Sequence, residues 1–174
     1  MARIPYFDMD QAPAAYADLL KSRHPLNLYR MLPHASTAAP GFLKMGGALL
    51  RENEIDSQLR EIVILRVGML SGASYEVHQH KRVARSVGLS EEKIAAIEQG
   101  AEAAVFSDLE RLILRFTDTV VHDVKAPDEL FNSVLEHLNH RQMAELVLTI
   151  GFYMMVSRFL ENFEVDIEPS GAVQ

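Results

Sequence analysis

The chain has 174 residues, 48% hydrophobic and 24% charged, with a formal net charge of -7 and no cysteine. This length and balance predict one globular domain, residues 1–174, with a sizeable core. The negative charge argues against a nucleic-acid or anionic-membrane partner, and the missing thiols remove disulfide scaffolds, Cys-based zinc sites and every thiol mechanism.

Read from the N-terminus, MARIPYFDMDQAPAAYADLL has no basic segment followed by an apolar run, so no secretory signal is expected. Asp10 is a candidate start for a short helix through Leu20. Residues 25–32 predict a second short helix, and Pro40 opens a third through Leu50. Asp56 is a good N-cap for a longer helix, in which Leu59, Ile62, Val63, Val67 and Leu70 form one buried face. Gly72 ends or bends it. The next helix spans Ser74 to Val87 and closes at Gly88, a natural left-handed cap.

Ser90 caps 91-EEKIAAIEQ-99, which closes at Gly100. Ser107 with Glu110 makes a capping box for a helix to Val121, and Pro127 opens another through Leu138. Asn139 with Gln142 makes a second capping box, for 140-HRQMAELVLTIGFYMMVSRFLENF-163. The tail EVDIEPSGAVQ reads as frayed. No segment shows strand periodicity, so the predicted class is all-α, with helices 56–71 and 74–87 packed as a hairpin.

The last helix is apolar around most of its circumference, which predicts burial on all sides. In a small chain that fits either a central core helix or a subunit interface, and a homo-oligomer (dimer, trimer or hexamer) is expected. The longest apolar stretches carry Arg66 or Arg158, so no membrane span is expected. The absence of cysteine fits a cytoplasmic location.

The segment 71-SGASYEVHQHKRVARSVGLS-90 concentrates Tyr75, Glu76, His78 and His80 between two glycines. Glu76 and His80 are four apart and share a helical face. A carboxylate beside an imidazole fixes the tautomer and raises basicity, as general acid–base chemistry requires. The same pair on a solvated helix would be a weak ion pair and nothing more. Tyr75 can donate to a developing oxyanion or simply pack. His78 faces away from Glu76 and is left out of the site. It cannot join His80 on one ion from a regular helix, and a third metal ligand would have to be Glu61 or another distant group, so no metal is expected. Arg66 interrupts an apolar helix; it can snorkel, pair with an acid such as Glu145, or bind a substrate carboxylate.

The stretch 60-REIVILRVGMLSGASYEVHQHKRVARSVGLSEEKI-94 and the ending 145-ELVLTIGFYMMVSRFLENFEVDIEP-169 resemble the carboxymuconolactone decarboxylase and alkylhydroperoxidase D-like family. The resemblance covers roughly residues 30–169 and leaves 1–29 as an N-terminal helical extension. Redox members carry Glu, then Cys-x-x-Cys, then His. In that register Glu61 and His80 are retained, while Ala73 and Glu76 stand where the cysteines would be. The resemblance therefore implies the fold and a proton-handling frame of Glu61, Glu76, His80 and Tyr75, without the sulfur chemistry. The decarboxylase branch lacks the cysteine pair too, and is more similar to this chain at the site.

The implied function is a cofactor-free lyase or isomerase, decarboxylase-like, acting on a small carboxylated or carbonyl compound, with Arg66 as the candidate substrate-binding residue. The alternatives are a non-catalytic oligomeric member that binds a small ligand, and a peroxiredoxin-like relative that has lost its redox cysteines.

Overall fold

Apolar residues spaced three and four apart, most runs preceded by a cap or a proline, build nine α-helices and no strand among the described residues. The structure, a computed structural model, describes residues 1–21, 23 and 26–169. The chain divides into two compact units, residues 1–52 with 159–174 and residues 53–158.

In the first unit a short 3-10 turn, Met9–Gln11, precedes α1, Ala14–Leu20, so the helix predicted from Asp10 starts later. Pro13 is the reason: the residue before a proline is driven to extended backbone, and Ala12 has ψ 140. Helix α2, Asn27–Met31, lies within the predicted 25–32 and continues as a 3-10 turn, Leu32–Ala35, at Pro33. Residue 25 lies outside the described residues. Helix α3, Ala39–Arg51, has Pro40 in its first turn as predicted and packs on α1. The tail is not frayed over 164–168. Arg3 Nε donates to Glu164 at 2.8 Å, and Asp166 accepts from the Ala2 amide and the Tyr6 hydroxyl, each at 3.1 Å. Residues 170–174 lie outside the described residues.

The second unit is organised around α4, Ser57–Leu70, with α5, Ser74–Ser86, packed against it. Asp56 caps α4 as predicted, its Oδ1 accepting from the amides of Gln58 and Leu59, both at 3.0 Å. The turn between the helices uses Gly72 at φ 64, a left-handed conformation that costs an L side chain about 1 kcal/mol. Close approach of the two helices depends on Gly68. A Cβ there would stand 3.1 Å from Val77 Cγ2.

The predicted helix 91–99 is shorter than expected: α6, Glu91–Ala96, tightens into a 3-10 turn, Ile97–Glu102. The capping box of Ser107 and Glu110 starts α7, Asp108–Asp123, which packs on the other side of α4. Helix α8, Asp128–Leu135, stops before the predicted Leu138. The Asn139–Gln142 capping box starts α9, His140–Phe163. Ile62, Leu65, Ala84, Leu89, Ile97, Phe106 and Leu114 meet in one core of this unit.

Two expectations are adjusted here. On α4 the predicted face is buried except at Leu70, which is half-buried, and Arg60, Glu61, Ile64 and Leu65 are buried as well. Within a single copy α9 leaves Val147, Leu148 and Met155 40%, 50% and 46% exposed, so it is not a fully enclosed core helix. With 24 residues, α9 is also long and apolar enough, by length and composition alone, to cross a bilayer, contrary to the reading of its sequence. Half of its most apolar window is buried inside the protein, the pattern of a core helix.

Candidate active site

Three buried ionisable side chains from α4 and α5 meet. Glu61, in the second turn of α4, is 0% exposed, Glu76 sits in the first turn of α5, and His80 follows one turn later at 7% exposure. His80 Nδ1 lies 2.7 Å from Glu61 Oε2, and His80 Nε2 lies 3.0 Å from Glu76 Oε1. One imidazole is thus held at both nitrogens by two carboxylates. Its orientation is fixed further by Tyr153 of α9, whose ring meets it edge-on at a centroid distance of 4.9 Å.

Burial alone would push the imidazole pKa down, because it penalises the charged form. The charges of Glu61 and then Glu76, with their hydrogen bonds, outweigh that effect and raise His80 from 6.5 to about 10. At neutral pH the ring is therefore an imidazolium donating from both nitrogens. Neither nitrogen keeps a lone pair for a metal in this arrangement, and no group of three or more His, Asp or Glu among the described residues is placed to hold one.

The i,i+4 spacing correctly paired Glu76 with His80, and the family register correctly brought Glu61 to them. Tyr75 is also buried, but one helical position turns its side chain roughly 100° from that of Glu76. His78 is exposed, on a different face from the cluster. Arg66 does not join the cluster. Its Nε and Nη2 donate to both oxygens of Asp118 at 2.6 and 2.8 Å, and its Nη1 donates to the carbonyls of Ile97 and Glu98. Those bonds occupy the guanidinium, so the expected substrate-binding role finds no support in its geometry, and the partner is Asp118 rather than Glu145.

Two residues of this cluster escaped the sequence reading. One is Tyr153. The other is Arg60, 8% exposed, whose Nε lies 3.4 Å from Glu61 Oε1. The signal for Arg60 was available: two adjacent charges, Arg60 and Glu61, inside a mostly apolar helix with a strong cap.

At the position of the first family cysteine, Ala73 forms the buried N-cap of α5, and Glu76 occupies the first turn. The first turn of a helix favours negative charge through its free amides and dipole. The first turn of α5 therefore accommodates the Glu76 carboxylate.

Residues 37–119 match the carboxymuconolactone decarboxylase family. The chain is 28% identical over 103 residues to the uncharacterized protein YdfG of Bacillus subtilis, covering 58% of this chain and 70% of that protein. Among solved structures it is similar to an uncharacterized peroxidase-related protein with an alkylhydroperoxidase AhpD core from Ralstonia eutropha JMP134. That match has 15% identity, covers 96% of this chain and 92% of that one, and has a TM-score of 0.84. The debrominase Bmp8 in its apo form matches at 14% identity over 98% and 93% of the two chains, with a TM-score of 0.79. These structural likenesses establish the fold. With an all-α AhpD-like fold, a match to the carboxymuconolactone decarboxylase family across α3 to α7 and no sulfur at positions 73 and 76, the chain is similar to that family over just under half of its length and carries no cysteine.

Proposed function

We propose that the protein is a cofactor-free general acid–base enzyme of the lyase or isomerase type, acting in the cytoplasm on a small carbonyl compound that carries a carboxylate. The observation that supports this most directly is the buried His80 held between Glu61 and Glu76. An imidazolium in that setting is a proton donor of fixed direction. Glu76 offers a base, since among the described residues only its Oε1 carries a side-chain contact.

In the isomerase form of the reaction, Glu76 takes a proton from the carbon beside the carbonyl, the electron pair moves onto the carbonyl oxygen, and the enolate is reprotonated elsewhere. In the decarboxylase form, the bond to a leaving carboxylate breaks and its electrons form the same enolate. The carbon is then protonated through Glu76, which draws the proton from His80 Nε2, and the pair recovers it from water. Peroxide reduction by a protein thiol is closed to a chain without cysteine.

A screen of carboxylated lactones and β-keto acids for CO2 release or solvent deuterium uptake tests the reading. Glu76→Gln should lower kcat by about 10²-fold or more. Adding His80→Gln should lower it little further, because the pair acts as a unit. Full activity in either single variant would leave the pair a packing contact.

The alternative of a non-catalytic, oligomeric ligand-binding member draws on a different observation. Ala144, Val147, Leu148, Gly151 and Met155 form an exposed, mostly apolar stripe along α9. We propose that a second copy of this chain covers it, whichever reading of the site holds.

A further inference from the structure

Two arginines of α4 are largely removed from water, and they are treated differently. Arg66 uses Nε, Nη1 and Nη2 in hydrogen bonds and pairs with both oxygens of Asp118. Arg60 is more than nine-tenths buried. Among the described residues its guanidinium has one hydrogen bond, from Nε to Glu61 Oε1 at 3.4 Å, which is long for such a bond. The rest of its fork has no partner among the described residues, and it is not among the buried atoms left without one, so that edge is open to solvent. A guanidinium sunk this far into the fold with its outer edge open is placed to take an anionic ligand.

We propose that the free edge of Arg60 is the receptor for the substrate's carboxylate, so the substrate is a keto acid, or a related carbonyl compound, that keeps this carboxylate through the reaction. The inference rests on the acid–base reading of the site and adds to it the charge of the substrate and the residue that holds it. Glu61 links the two functions: one oxygen faces Arg60 and the other faces His80. A molecule anchored on Arg60 is therefore presented beside the proton-handling pair.

The anchored carboxylate is one that stays. A guanidinium gripping a departing carboxylate would stabilise the ground state against loss of CO2 and slow the reaction. With both glutamates ionised and His80 protonated, the charges of Arg60, Glu61, Glu76 and His80 sum to zero, which suits one added carboxylate better than a phosphate dianion. The planar fork also matches a carboxylate with two parallel hydrogen bonds, as a lysine cannot.

Isothermal titration with levulinate and acetoacetate, with their methyl esters, and with inorganic phosphate tests the assignment. The acids should bind the wild-type protein, and the esters and phosphate should bind at least about tenfold more weakly. Arg60→Lys, which keeps the charge, should weaken binding of the acids at least about tenfold. Equal binding of acid and ester by the wild type would overturn the assignment without any variant, as would an unchanged Arg60→Lys, or no binding of either acid. Acids that bind through Arg60, with no compound turned over, would instead overturn the acid–base reading and leave the receptor standing.

Discussion

Helices α4 and α9 reverse the order of burial that their sequences suggest. Helix α9 is the more apolar, yet it exposes Val147, Leu148 and Met155. Helix α4 carries Arg60, Glu61 and Arg66, yet it is enclosed by α5, α7 and the 3-10 turn at 97–102. Apolar side chains tolerate exposure at little cost, whereas a charge is taken inside only where partners are already placed. The charges on α4 therefore mark where the fold has built something specific. Arg66 joins α4 to α7 and the turn after α6; Glu61, with Arg60 beside it, orients His80.

Substitutions on the two helices should separate these roles. The largest effect is expected from Glu61→Ala, which leaves His80 and Arg60 buried without their shared partner. Urea unfolding should show a loss of about 3–5 kcal/mol. Gly100→Ala should come next. Gly100 has φ 67, and a Cβ there would meet Arg66 Nη2 at 2.7 Å and Cζ at 2.9 Å, so both the backbone and the Arg66–Asp118 pair are disturbed. The expected loss is about 2–3 kcal/mol, against less than about 1 kcal/mol if the guanidinium shifts freely. The smallest effect on the folded chain belongs to α9. Leu148→Ser should change the stability of a single copy by no more than about 0.5 kcal/mol, while light scattering should show a smaller assembly than the wild type. A wild-type protein that already scatters as a 19.5 kDa monomer would remove the assembly proposal.

What the sequence made legible was local. Asp56, Ser107 with Glu110, and Asn139 with Gln142 cap helices where predicted, because a cap and the amides it binds lie within three residues. Glu76 with His80 was readable for the same reason, as one helical turn. Glu61 is nineteen positions from its partner His80, and only the family register brought it in. The partner of Arg66, Asp118, is 52 positions away, and nothing local distinguishes it from Glu145. Tyr153 escaped because an aromatic residue in an apolar helix reads as core, which it also is. Pro13 holds Ala12 extended, so α1 starts after it rather than at Asp10.

The central claim is that His80 is a buried imidazolium held by two carboxylates. Its sign fixes the pH dependence. The folded pKa is raised above the unfolded value near 6.5, so the stabilisation is fully present below that value. It is lost as pH rises toward about 10, the folded value. The direct measurement is the NMR titration of the His80 ring, assigned by comparison with His80→Gln. The ring should stay protonated on both nitrogens through pH 8 and titrate near 10, with wild-type stability falling across that window and the variant lacking the fall. A ring that titrates at or below about 6.5 would contradict the claim, because desolvation would then outweigh Glu61 and Glu76 and His80 would be neutral at physiological pH.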